Sequence, residues 1–184
     1  MTGSAGPSGC DVDQWKQILL SKNFAHNGDE LAISIANMAK ILATEKIQDR
    51  NSIAPFIACR LIPLDKDPGI RPIGIGEVLR RLIGKAILKV LKTDIQNYVG
   101  CKQLCAGQEG GIEGGIHAAT EIFRMESCEG LIQVDAKKAF NSLNRKLMLH
   151  NLEMICPELS TFGWNCYSTP ARLFILGGEE IQSE

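Results

Sequence analysis

Asp65-Lys66-Asp67-Pro68-Gly69 is the feature that most narrows what this chain can fold into. It is a dense turn cluster between two apolar runs, Ile57 to Leu64 and Arg71 to Ile75, and that arrangement predicts a β-hairpin with charged residues at its tip. The period then changes. From Glu77 to about Tyr98 the apolar residues recur at helical spacing, with Leu79, Leu82, Ile83, Ala86, Ile87 and Val90 on one side. Arg81, Lys85, Lys89 and Lys92 fall within about 80° of each other on the opposite side. No acid interrupts that basic stripe, whereas a merely solvated face usually carries i,i+4 acid–base pairs.

Charge follows the same division. The 184 residues sum to −1, an average that argues against a nucleic-acid protein. Between Arg60 and Lys102, however, nine Lys and Arg face four acids, so this stretch is +5 and the remainder −6. A local basic patch is what a phosphate backbone senses. Apolar residues make up 45% and charged residues 22%, which excludes wholesale disorder. No apolar run approaches the roughly 18 residues that span a bilayer, and Met1 to Gly9 lacks the basic and apolar stretches of a secretory signal. A location inside the cell, away from membranes, is the expectation. The seven cysteines fit reduced thiols better than a disulfide framework, and Cys101, Cys105, His117 and Cys128 do not follow a regular zinc spacing.

Flanking elements can be placed by their caps. Asp11 opens a helix to Leu20, and a second runs from Gly28 to about Ile47 with Leu31, Ile35, Met38, Ile41 and Leu42 on its buried face. Residues 100–115 form a Gly-rich connection that lacks the Lys-Ser/Thr pair of a phosphate loop. A helix from Ile116 to Met125 leads to a buried strand, Leu131 to Asp135. Further helices are expected from about Leu143 to Ile155 and from Pro157, then a hairpin from Arg172 to Ile181 around Gly177-Gly178. The fold class is therefore α+β.

Leu131-Ile-Gln-Val-Asp-Ala-Lys-Lys-Ala-Phe-Asn-Ser142 is the sharpest local feature. An aspartate at the end of a buried strand is held rigidly, as an oxygen ligand for magnesium must be. An aspartate at such a junction also serves as a plain turn or cap residue.

Four stretches in order resemble the reverse transcriptases of retrotransposons. Asp135-Ala-Lys-Lys-Ala-Phe140 is similar to the family's first palm motif. Leu61-Ile-Pro-Leu-Asp-Lys-Asp-Pro-Gly-Ile-Arg-Pro-Ile-Gly74 is similar to its fingers segment. Arg80-Arg81-Leu-Ile-Gly-Lys85 resembles the basic helix that follows, and Ala106-Gly-Gln-Glu-Gly110 the Gln-x-Gly stretch before the palm strand. The resemblance implies fingers plus an incomplete palm, divided into a flexible leader (1–9), a fingers-like region (10–128) and the start of the palm (129–184). It implies that Asp135 and the Ala136 carbonyl ligate Mg²⁺, two ions of which would promote in-line transfer. Lys66 and Arg71 would hold the triphosphate of an incoming deoxynucleotide, and Ala136, Ala139 and Phe140 would line its site, Phe140 excluding a 2′-hydroxyl. Arg81, Lys85, Lys89 and Gln108 would contact the RNA template and DNA primer.

The chain departs from the family in carrying neither the later Asp-Asp hairpin nor the Gln-Gly-x-Pro segment, and no thumb. A fragment inactive alone is therefore expected. The rival expectations are a non-catalytic relic that binds nucleic acid or protein, and an unrelated α+β domain in which Asp135 is a cap.

Overall fold

The computed structural model describes residues 3–100, 103–104, 109–136, 139, 142–175 and 180–183. Gln108 and Phe140 lie outside them. Helices α1 (Val12–Leu20), α2 (Ala25–Thr44) and α3 (Arg50–Ile57) precede strands β1 (Cys59–Asp65) and β2 (Ile70–Gly76). Helices α4 (Val78–Val90), α5 (Lys92–Val99), α6 (Gly111–Phe123), α7 (Arg145–Ile155) and α8 (Pro157–Tyr167) follow, then strands β3 (Arg172–Ile175) and β4 (Glu180–Gln182). This is an α+β chain with one mixed sheet of order β2-β1-β3-β4.

Local chemistry fixes the ends of these elements. Asp11 closes a capping box with Gln14 at the start of α1, each side chain accepting from the other's backbone N–H. At α3 the Asp49 carboxylate accepts from the Asn51 N–H and the Ser52 hydroxyl, and these bonds hold its pKa below the usual carboxylate value. Pro55 lies inside α3. In an eight-residue helix it removes a single N–H.

The hairpin forms where the turn cluster places it. Cys59 to Asp65 pairs antiparallel with Ile70 to Gly76, and Lys66 N–H donates to the Gly69 carbonyl at 2.9 Å. Gly69 has φ +99°, a conformation that few residues other than glycine adopt easily. The other edge of β1 pairs in parallel with β3, from Cys59 opposite Leu173 to Leu61 opposite Ile175. β3 then turns back on β4, clasped by two bonds from the Arg172 guanidinium to the Glu180 carboxylate. That pairing lowers the pKa of Glu180 and raises that of Arg172.

The core joins α2, α3, α4 and α8 through Leu42, Ile53, Phe56, Ile57, Ile83, Ile87 and Cys166. Both sheet and core therefore combine residues from 10–128 with residues from 129–184. Asn165, wholly buried, binds the end of α2 to α8. Its amide donates to the carbonyls of Leu42 (2.9 Å) and Glu45 (2.8 Å), and its oxygen accepts from the Ile47 N–H (2.9 Å).

Two expectations are corrected. The helix from Glu77 to Tyr98 is two helices, because Leu91 adopts φ −87°, ψ 8° and packs its side chain against the core. Residues 131–136 form no strand. Ile132 is 91% exposed and Val134 87%, and this stretch pairs with none of β1 to β4. β1 holds β2 on one edge and β3 on the other, so this run of strand-forming residues has no ladder at the sheet's centre to join.

Candidate nucleic-acid interface

Every site residue singled out from sequence, Gln108 and Phe140 excepted, has a described setting. Lys66 and Arg71 come together. Arg71 pairs with Leu64 near the start of β2, and Lys66 directly follows the last residue of β1, so both cations belong to the hairpin tip. Both are exposed and neither makes an ion pair among the described residues. Two mobile cations on an exposed tip can grip phosphate oxygens.

The basic stripe of α4 is divided. Lys85 and Lys89 are exposed and free of ion pairs among the described residues. Arg81 is engaged. Its guanidinium donates to the Ser4 carbonyl and lies against Gly3, and its Nε is buried without a partner. The same leader is held at Glu77, whose carboxylate accepts from the Ser8 N–H (2.7 Å) and hydroxyl (2.8 Å). Gly6 is buried there, and a Cβ on it would come within 2.8 Å of Glu77 backbone. Lys92 begins α5, beyond the break at Leu91, and so leaves the stripe's regular spacing.

Asp135 and Ala136 are exposed in the irregular stretch 131–136, and Ala139 is exposed in a turn. The described residues of the stretch that resembles the first palm motif, Asp135, Ala136 and Ala139, are thus exposed and outside the sheet. Among the described residues no three His, Cys, Asp or Glu side chains gather into a possible metal site. A single exposed carboxylate does not fit a centre that binds two magnesium ions, because each Mg²⁺ gives up its water only to several fixed oxygens.

No protein-family model and no curated protein matches this chain. No helix among the described residues is long and apolar enough to cross a membrane.

Sequence reasoning missed two clusters. Arg80 reaches from α4 to the Ile57 carbonyl (3.2 Å), the Cys59 sulfur (3.9 Å) and the Tyr167 ring (5.4 Å), tying the end of α3 to α8. Burial pushes the Cys59 and Cys166 thiols up, and Arg80 offsets this only in part, so both stay protonated and are poor nucleophiles. The second is Trp164, with the Arg50 guanidinium 4.0 Å and the Lys46 ammonium 5.7 Å from its ring centre. The only sequence signal for it was the presence of a tryptophan between Gly163 and Asn165 on a helix.

Proposed function

We propose that this chain is the fingers region and the start of the palm of a retroelement reverse transcriptase, and that alone it binds nucleic acid without polymerising it. The observation that carries this reading is the presence of two exposed cations, Lys66 and Arg71, at the tip of the hairpin, in a segment similar to the family's fingers. Lys85 and Lys89, exposed on the helix that follows β2, supply a second pair of cations. Their partners are the phosphates of a primed RNA template, and the deoxynucleotide would be handled only in a complete enzyme. The non-catalytic half of the proposal rests on Asp135, an exposed carboxylate that belongs to no group of three possible metal ligands among the described residues.

Binding should be weak, indifferent to sequence and steeply salt-dependent. Fluorescence anisotropy with a labelled primed RNA template, at two salt concentrations, measures it. Replacing Lys85 and Lys89 with Glu should remove two phosphate contacts and flatten the plot of log K against log salt by about 2. An unchanged slope, or no binding at low salt, rejects the interface.

In a primer-extension assay with all four deoxynucleotides and magnesium, the chain should add no nucleotide above background. Incorporation that disappears in Asp135→Asn would show that a second carboxylate completes the centre.

A further inference from the structure

We propose that a cavity between the end of α2 and helices α7 and α8 binds one ribonucleotide unit, with its phosphate on Lys46 and Lys146 and its base against Trp164. The cavity measures about 290 Å³ and is lined by Lys46, Lys146, His150, Glu153, Ser160 and Trp164, with Leu149 at its side. That volume lies at the small end of ligand sites, suited to a single nucleotide rather than a duplex. It shares no residue with the hairpin tip or the α4 stripe.

Its walls are held in place before any ligand arrives. Asn165 binds Glu45 and Ile47 on either side of Lys46, so the backbone beneath that lysine is fixed while its side chain stands over the neighbouring Trp164. The indole is fixed in turn by Arg50, whose Nη1 donates to the Ser168 hydroxyl at 3.0 Å while the guanidinium covers the ring. The opposite wall is one face of α7, because Lys146, His150 and Glu153 recur at intervals of four and three residues. Gly163 lets α7 approach α8: a Cβ there would collide with the end of the Leu152 side chain.

The chemistry of the lining matches the three parts of a ribonucleotide. Neither Lys46 nor Lys146 makes an ion pair among the described residues, so two ammonium groups are available to a phosphate. Glu153, the one carboxylate in the lining, can accept from ribose hydroxyls. Ser160 already donates to the Pro157 carbonyl at 2.6 Å, so its oxygen is left to accept. Trp164 is only partly buried, and the part of its ring that Arg50 and Lys46 leave uncovered is the apolar surface offered to a base. The unit could be a free nucleotide or one residue of a single-stranded RNA, since both present the same phosphate, ribose and base.

The test uses the full chain with Trp15→Phe, which leaves Trp164 as the only indole. Adenosine monophosphate should quench Trp164 fluorescence saturably, and adenosine should bind about tenfold more weakly for want of the charge-assisted contacts. Lys46→Glu with Lys146→Glu should weaken the monophosphate by at least about tenfold. Both lysines are exposed, so the helical circular dichroism should persist, and Lys146→Ala alone provides a milder check. Lys85→Glu with Lys89→Glu should leave the quench untouched. An adenylate octamer that binds no tighter than the monophosphate assigns the site to free nucleotide, and one that binds much tighter, through the same two lysines, assigns it to a strand. No quench, equal binding of adenosine and its monophosphate, or indifference to the Lys46 and Lys146 changes overturns the proposal.

Discussion

Asn165→Ala should destabilise the chain by about 3 kcal/mol, read as a lower urea midpoint at unchanged slope. Three backbone groups, the carbonyls of Leu42 and Glu45 and the N–H of Ile47, would lose their partner at a side chain that is 0% exposed. A buried polar group left unpaired costs far more than the bond it replaces gains, and here three are stranded together. Asn165→Asp separates the donor from the acceptor function. A carboxylate still accepts from Ile47, but it cannot donate and would turn a negative charge toward two carbonyls. Its cost should match or exceed that of alanine. A loss below about 1 kcal/mol for both variants would mean that water replaces the side chain and that α2 is held by packing alone.

Ile83→Ala should cost about 3 kcal/mol, and Val90→Ala less than about 0.5. Both residues fall on the apolar side of the helical wheel, yet Ile83 is 1% exposed within the core and Val90 is 80% exposed. Equilibrium denaturation of the two variants gives the comparison directly. Comparable losses would mean that α4 is covered along its whole length, which the positions of α2, α3 and α8 do not provide for.

That pair of residues shows how much of the molecule was legible. Local signals served well wherever the determining chemistry was local: the Asp11 cap, the turn from Asp65 to Gly69 and the opening of α8 at Pro157 all lie within a few residues of their cause. Where the cause was a distant neighbour, they failed. Leu131 to Asp135 has the composition of a buried strand, but a strand exists only beside another, and both edges of β1 are taken by β2 and β3. The wheel for α4 gave the direction of its buried side but not how far along the helix cover extends.

The candidate site divides in the same way. Lys66 and Arg71 could be placed together because hairpin register is a local property. Nothing nearby in sequence announced that the leader would occupy Arg81, since Ser4 lies 77 positions away. Nor could the cavity at Trp164 be foreseen, because its walls come from residues around 46, 146 and 160 that only the finished core brings together.

The buried amide of Asn165 meets Leu42 across 123 intervening steps of chain, and β1 must likewise await β3 to cover its second edge. Contacts of such sequence separation carry a large loop-closure entropy that is recovered only at the end. On a ribosome the first hundred residues would emerge as helices and a hairpin with an open apolar seam, unable to close until α8 followed them out. Folding of this chain should therefore be slow and late, and its early intermediates prone to stick to one another or to a chaperone.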